Sequence, residues 1–355
     1  MTADLIAVVL LLAVTAYACA GGTDYGAGFW DLTAGGAERG ARARRLIDHA
    51  MAPVWEVNNV WLIFIFVIMW TGFPTLFQTV FSAMWLPLAL AAVGMVLRGA
   101  GFALRKPTRS LAGRRVYGAA FAVASLVTPF FLGAAVGGVA SGRVAPGTEA
   151  SSDAWANPTS LLFGLLAIVS AAFLGAVSLS ADAARFGAPD LVGYFRRRAL
   201  VSLAVLAAFS VGTLAVTRYD APHVWHGLTH GWGLAFVVAA AVLSAASGWL
   251  LRVAGNWSRV TAVGVVGAAV VAWGMAQRPY LIPTSLTVAE GAGDSTTLRW
   301  LALVTLVAVV LIAPAVAFLY WLDTHGELEA LTDADLRGDG PGGDGPTDVG
   351  RPAAG

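Results

Sequence analysis

The chain has 355 residues, of which 58% are hydrophobic and only 12% charged, and its formal net charge is +1. This charged fraction is about half that of an ordinary soluble protein, and with no basic tract it gives no sign of nucleic-acid binding. The single cysteine, Cys19, excludes an internal disulfide and any multi-cysteine metal site.

Long apolar runs follow one another along the chain, and runs of about twenty such residues are typical of transmembrane helices. No basic residue precedes the first run, so we expect a membrane span there rather than a cleaved signal peptide. The expected fold is an all-α polytopic membrane protein of about nine transmembrane helices. The predicted spans are 4–21, 58–75, 80–103, 115–140, 159–182, 199–218, 231–251, 258–277 and 299–322.

The basic residues between these spans predict the orientation of the chain. Sixteen of them lie in loops on one side, within 39–45, 98–115, 185–198 and 252–259, against four on the other side. Because cytoplasmic loops carry the excess of Lys and Arg, we expect the N-terminus outside and the C-terminus in the cytoplasm. The transmembrane domain would cover residues 1–325. The Gly/Pro/Asp-rich segment 326–355 would be a disordered cytoplasmic tail.

The segment APVWEVNNVW, residues 52–61, places polar groups at the start of a very apolar run. Asn58 and Asn59 can hydrogen-bond to the Glu56 carboxyl group in either protonation state. Trp55 and Trp61 would shield that group from lipid, or anchor the helix at the interface. Because burial favours the protonated form of a carboxyl group, Glu56 is a candidate proton carrier. The alternative is a solvated helix start.

Three further ionisable residues fall near the predicted cytoplasmic face. Asp24 comes just past the first span, Arg98 in the last turns of the third, and Asp182 at the inner end of the fifth. Ionisable groups inside a membrane often mark function, so this cluster suggests an inward-facing entry site for protons or cations. Polar residues also sit among headgroups at span ends, which is our expectation for Asp182 and Arg185.

The predicted outer face carries three histidines in the stretch HVWHGLTHGW: His223, His226 and His230. On a helix their spacing of three and four would put them roughly on one face. Histidine is a common metal ligand, which allows a metal or haem site. Two glycines and a preceding proline interrupt the helical pattern, so an interfacial loop leading into the next span is the favoured interpretation.

Five stretches occur along the chain in the order of one known family's signatures. They are TDYGAGFWDL, APVWEVNNVWLI, LRGAGFALR, NPTSLLFG and RPYLIPTSLT. The second is the most specific and is similar to a Pro-x-Trp-acid-x-Asn-Gln/Asn-Val-Trp-Leu run that follows the first span. The first is similar to a Phe-Asp-x-Gly-Val-Gly segment. Together they resemble subunit II of the cytochrome bd-type quinol oxidases.

The resemblance implies a membrane complex that reduces dioxygen to water with electrons from quinol. In that family subunit I carries the quinol site and the b- and d-type haems. Subunit II ligates no haem, packs against subunit I and is associated with a cytoplasmic proton path. Some members of the family hold a structural quinone. The resemblance is also compatible with a small accessory subunit in the complex. The expected location is the inner (plasma) membrane of the cell, where the lipid bilayer surrounds the complex.

The family's functional residues can be carried over only where the motifs match. Glu56 matches the signature carboxylate, Asp24 the aspartate before Gly-Val-Gly, and Arg98 the basic residue after the third span. With Asn58 and Asn59 these residues form the candidate proton path, and the resemblance implies no metal ligand in this chain.

Two departures from the family pattern keep other functions open. Gly21 and Ala103 stand where the family has acidic residues, so two carboxylates of the usual path are absent. This favours a purely structural membrane partner as one alternative. A secondary transporter is the other, although transporter sites usually lie near the midplane, where this sequence has almost no charge.

Overall fold

The computed structural model describes residues 1–35, 40–51, 55–105, 110–147, 149–253 and 257–324. The predicted tail, 326–355, lies outside this part of the chain. The first half contains α1 (Thr2–Leu32), α2 (Ala41–Met51), α3 (Trp55–Gly72), α4 (Pro74–Ala83), α5 (Trp85–Arg105), α6 (Leu111–Ala140) and α7 (Ser152–Trp155). The second half contains α8 (Pro158–Arg185), α9 (Pro189–Asp220), α10 (Pro222–Thr229), α11 (Gly231–Arg252), α12 (Ser258–Gln277), β1 (Tyr280–Ile282), β2 (Leu286–Thr287), α13 (Val288–Gly291) and α14 (Ser295–Thr324).

The membrane-spanning architecture agrees with the prediction. Eight of the described helices are long and apolar enough to cross a membrane. Helices α3 and α4 pass the same test only together; they meet at a bend of 120° and bring the number of spans to nine if the bent pair crosses as one. The bend follows from Pro74, which lacks the N–H needed to continue α3 and instead begins α4. The predicted span 58–75 therefore ends at Gly72, and the predicted span 80–103 begins only at Trp85.

Helix α1 continues about three turns beyond the predicted span 4–21. We expected Asp24 just past the end of the helix, but it lies inside α1 and is buried. The polar side chains of this extension do not end the helix because they find partners within the protein. The indole Nε1 of Trp30, for example, donates to the carbonyl of Ala172 at 2.8 Å.

Helix α1 contacts α3, α6, α8, α12 and α14. Around it, α5 pairs with α6, α8 with α9, and α11 with α12. One buried cluster includes Phe121, Phe173 and Phe195, and another includes Ile6 and Phe73. Both clusters contain residues of α1, so the position of Asp24 is fixed by packing on several sides.

The segment RPYLIPTSLT forms a small hairpin before the last span. Strand β1 pairs antiparallel with β2, and Thr284 in the turn between them has a φ of 62°. Thr287 and Glu290 then form a capping box at the start of α13. The backbone N–H of Gly293 donates to the carbonyl of Gly72 at 2.9 Å. This hydrogen bond attaches the segment after the hairpin to the end of α3.

Candidate functional site

A buried ion pair joins α1 to α5. Nη1 of Arg98 lies 3.3 Å from Oδ2 of Asp24, and each side chain is only 6% exposed. The two sequence candidates, separated by 74 positions, are therefore in direct contact. Ions buried in this way are costly to desolvate unless their remaining hydrogen-bonding groups are also satisfied.

Further contacts satisfy the Arg98 guanidinium. Its Nη2 donates to the backbone carbonyl of Asp24 at 3.1 Å, and its Nε donates to Oγ of Ser125 at 3.1 Å. Ser125 in turn donates to the carbonyl of Phe121 at 2.8 Å. The guanidinium carbon also lies 4.7 Å from the centre of the Tyr25 ring, a cation–π distance. Arg98 therefore links α5 to α1 and α6. These contacts hold its positive charge at one position.

Glycines in the motif around Asp24 permit this close packing. A Cβ atom at Gly26 would meet the carbonyl of Ala171 and the Cα of Gly175 at less than 3.0 Å. A Cβ at Gly28 would meet Oγ of Ser125 at a similarly forbidden distance. Small residues let helix backbones approach each other in membranes. The Asp-x-Gly-x-Gly spacing therefore serves to bring Asp24 and its helix against α6 and α8.

A small cavity lies beside the ion pair. It has a volume of about 10 Å³ and is lined by Tyr25, Asn59, Met95, Arg98 and Gly99. A volume of this size is about that needed for one water molecule, and polar groups on the wall would supply its hydrogen bonds. Asn59, a proton-path candidate from the sequence, therefore lines the same cavity as Arg98.

The segment that begins α3 is only partly described. Asn58 is buried, and its Nδ2 donates to the carbonyl of Ala20 at 3.2 Å, which ties α3 to α1. Trp61 is 39% exposed and makes an edge contact with Phe64, with ring centroids 6.4 Å apart. The side chains of Trp55 and Glu56 lie outside the described part of the structure, although their backbone forms the first turn of α3.

Asp182 belongs to a set of ion pairs at the predicted cytoplasmic end of the helices. It pairs with Arg259, whose Nη2 also donates to the carbonyl of Ser178 at 2.8 Å. Arg42 of α2 pairs with Asp190 at 2.6 Å. Asp182 pairs with Arg259 rather than with Asp24 or Arg98. Sequence spacing carries no signal for these pairings, because each joins helices far apart along the chain.

The three histidines do not converge on one point. His223 points its Nε2 toward the carbonyl of Gln277 at 3.5 Å, and its ring makes an edge contact with Tyr280. His226 and His230 instead stack on each other. The stretch forms the short helix α10, rather than the loop that we expected, with Pro222 at its first position. Within the described residues no group of three or more His, Cys, Asp or Glu side chains is placed to hold a metal ion.

The fold matches a solved respiratory oxidase. The bd oxidase structure from Geobacillus thermodenitrificans contains a chain that superposes with a TM-score of 0.71 and 25% sequence identity. The match covers 91% of this chain and 98% of that one. The family model described as cytochrome bd terminal oxidase subunit II matches residues 2–323. The chain belongs to this family.

Curated relatives agree with the family. A Bacillus subtilis (strain 168) protein, assigned by its name to cytochrome bd menaquinol oxidases as subunit II, is 24% identical over 325 residues, covering 86% of this chain and 90% of that protein. Subunit 2 of the cytochrome bd-I ubiquinol oxidase of Escherichia coli (strain K12) is 26% identical over 126 residues, covering 36% of this chain and 32% of that protein. The resemblance found in the sequence motifs is therefore confirmed.

In this cytochrome bd subunit II chain, the structure shows the surroundings of Gly21 and Ala103, the two positions where the sequence resemblance implies acidic residues. Gly21 is buried, and a side chain there would begin only 3.1 Å from the ring of Tyr17. The Tyr17 hydroxyl lies 3.0 Å from that of Tyr25, whose ring packs under Arg98. Ala103 lies on an exposed face of α5. Two tyrosines therefore occupy the neighbourhood of position 21.

A second polar cluster of this subunit II chain was missed by sequence reasoning. At the opposite end of the helices, Arg143 pairs with Asp220 at 2.5 Å. The other Asp220 oxygen accepts from the backbone N–H of Thr159 at 3.0 Å and from its hydroxyl at 2.6 Å. The hydrogen bond to Asp220 raises the pKa of Arg143 above its ordinary value. This cluster fastens the start of α8, where Asn157 of the NPTSLLFG motif is the N-cap.

Proposed function

We propose that this chain is subunit II of a cytochrome bd-type terminal oxidase in the plasma membrane. In this proposal it packs against a larger, haem-bearing subunit I, and the complex oxidises quinol and reduces dioxygen to water. The observation that carries the proposal is the agreement of family and fold along nearly the whole chain, residues 2–323 in sequence and 91% of the chain in structure.

Subunit I would ligate the b- and d-type haems that supply the redox chemistry, and this chain would hold none of them. A structural quinone would need a pocket of roughly 300 Å³ or more. The cavity beside Arg98, of about 10 Å³, is far smaller than that. The surface patch beside Thr296, Arg299, Trp300 and Leu303 lies on the exposed face of one helix and does not enclose a ligand.

The ionisable residues would divide into a fixed pair and a proton carrier. Asp24 and Arg98 form the fixed pair, with Nη1 of Arg98 3.3 Å from Oδ2 of Asp24. Position 56 lies in the first turn of α3, three residues before Asn59, which lines the water-sized cavity. We assign proton uptake from the cytoplasm to Glu56, with Asn59, which lines the water-sized cavity, as the polar group about one turn further along α3.

Co-purification tests the proposal as a whole. Tagged chain solubilised gently from native membranes is expected to bring down a larger partner. The reduced-minus-oxidised spectrum of the eluate is expected to contain both b- and d-type haem bands. An eluate that stays free of haem under several mild detergents would contradict the oxidase assignment and move the transporter alternative to first place.

Substitution of Glu56 by glutamine tests the proton role separately. We expect the variant to assemble with normal haem spectra but to lose quinol-driven oxygen consumption by about tenfold or more, since a positioned acid or base commonly contributes that much. Oxygen uptake and proton translocation in proteoliposomes measure the effect. The matched control is Glu149→Gln, the same chemical change at an exposed loop position.

One observation favours a structural role as the second candidate function. The Asp24–Arg98 pair is locked by hydrogen bonds, and two family carboxylates are replaced by Gly21 and Ala103. If Glu56→Gln retains full oxygen consumption and full charge separation, the chain acts as a structural partner of subunit I and the proton assignment is wrong.

A further inference from the structure

Two tyrosines of α1 form a hydroxyl pair that has no part in the proposed function. The hydroxyl oxygens of Tyr17 and Tyr25 lie 3.0 Å apart, and either can be the donor. Tyr25 is buried and Tyr17 is partly buried. The two residues are eight positions apart on one helix, so their Cα atoms are separated by about 12 Å along its axis. The side chains therefore meet between the two residues, beside the turn that contains Gly21.

The Tyr25 end of this pair reaches the cavity beside the buried ion pair. Tyr25 lines the same water-sized cavity as Asn59 and Arg98. The Arg98 guanidinium carbon lies 4.7 Å from the centre of the Tyr25 ring, and this contact holds the ring in place. Because Arg98 is paired with Asp24, the two side chains together carry no net charge that would repel a proton. A water molecule in the cavity would contact both Asn59 and Tyr25.

The Tyr17 ring lies where a side chain at position 21 would begin. A Cβ atom at Gly21 would be 3.1 Å from Cε2 and 3.3 Å from Cδ2 of Tyr17, which is closer than ordinary van der Waals contact. The sequence resemblance implies an acidic residue at this position, and such a side chain would fit only if the ring moved. The Tyr17 ring and a carboxylate at position 21 therefore compete for one space, and this chain places a phenol there.

A pair of hydroxyl groups can pass on a proton and end in its original neutral state. Each hydroxyl oxygen accepts a proton on a lone pair and gives up its own proton to the next acceptor. One O–H bond forms and one O–H bond breaks at each oxygen. Rotation of the hydroxyl groups then restores the starting hydrogen bonds, since either oxygen of the pair can donate. A carboxylate would serve the same purpose by taking up and releasing one proton.

We propose that Tyr17 and Tyr25 form a proton relay that replaces the carboxylate missing at position 21. The relay takes a proton from the water-sized cavity at Tyr25 and releases it at Tyr17. On the predicted orientation Tyr17 lies closer to the outer face than Tyr25, so the proton moves from the cytoplasmic side into the membrane. This relay rests on the proposed function, in which Glu56 takes up the proton and the reaction in the partner subunit consumes it.

Removal of each hydroxyl tests the relay in the intact complex. Tyr17→Phe and Tyr25→Phe keep both rings, including the one beside Arg98, and remove one oxygen each. We expect normal haem spectra but a loss of about tenfold or more in quinol-driven oxygen consumption per haem. We also expect a larger solvent deuterium isotope effect than in the wild type, because proton transfer becomes the slow step.

Tyr194→Phe is the matched control for these variants. The Tyr194 ring also packs on an arginine, with the guanidinium carbon of Arg198 3.4 Å from its centre. Its hydroxyl oxygen is buried and has no hydrogen-bond partner among the residues that the structure describes. Loss of this hydroxyl is therefore expected to leave both the rate and the isotope effect as in the wild type.

Restoring an acid at position 21 separates a relay from a role in packing. Tyr17→Ala removes the hydroxyl and also the ring that lies against Gly21, so it is expected to lose oxygen consumption at least as strongly as Tyr17→Phe. Adding Gly21→Asp to Tyr17→Ala should recover most of the lost rate. Adding Gly21→Asn should not, because the amide has a similar size but does not take up and release a proton.

The outcomes distinguish this relay from the proposed function. If the wild-type complex contains haem and consumes oxygen while both phenylalanine variants keep its full rate and isotope effect, the relay alone is overturned. Equal rates with Gly21→Asp and Gly21→Asn in the Tyr17→Ala background overturn it as well, and this comparison decides where a phenylalanine variant fails to assemble. A wild-type eluate without haem overturns the proposed function and the relay with it.

Discussion

Replacing Arg98 by methionine is expected to destabilise the folded chain by about 3–5 kcal/mol, the usual cost of removing one partner from a buried ion pair. Methionine fills much of the volume of arginine but leaves the Asp24 carboxylate, which is 6% exposed, without its counter-charge. The Asp24 carbonyl and the Ser125 hydroxyl also lose a donor. Thermal unfolding of the purified complex in detergent, and the yield of assembled complex, measure the effect.

Two matched variants show whether the stranded charge is the cause. Asp24→Asn in the Arg98→Met background removes that charge, so the double variant is expected to recover part of the lost stability. Arg98→Lys keeps a positive charge but cannot donate to Asp24 and Ser125 in the same fork geometry, so an intermediate loss is expected. An Arg98→Met chain as stable as the wild type would show that the pair contributes nothing to the fold.

The same pair shows what the sequence could and could not predict. Hydropathy placed Asp24 and Arg98 near one face of the membrane, because long apolar runs define spans without any tertiary information. Their direct contact depends on how α1 crosses α5, and no local pattern specifies that crossing. Asp24 was expected outside the first helix because its polarity suggested an end. The helix continues because Arg98 satisfies the carboxylate inside the protein.

Other differences have equally local causes. The bend between α3 and α4 was missed because the apolar run continues through Phe73, and hydropathy does not register the missing N–H of Pro74. The Arg143–Asp220 cluster was missed because each residue alone resembles an ordinary charged span end. Conversely, the predicted span 159–182 begins within the NPTSLLFG motif, whose Asn157 caps α8 by accepting from the N–H of Ser160 at 2.9 Å.

Substitution of Gly26 by alanine is the second change with a large expected effect. The added Cβ would meet a backbone carbonyl at Ala171 and a backbone Cα at Gly175, both within 3.0 Å. Neither atom belongs to a flexible side chain, so α1 and α8 would have to move apart. We expect a loss of about 3 kcal/mol or more, the upper end of the cost of overpacking. The yield and melting temperature of the complex measure it.

Gly22→Ala is the control one turn earlier on the same helix. There the added Cβ would meet Cδ1 of Leu174 at 3.0 Å, and this is the end of a side chain that can rotate. Alanine also favours the helix over glycine by about 1 kcal/mol, which offsets a small shift. We therefore expect Gly22→Ala to be nearly neutral. Equal effects of the two substitutions would mean that α1 and α8 are not in backbone contact at Gly26. The glycines would then have no part in holding Asp24 against Arg98.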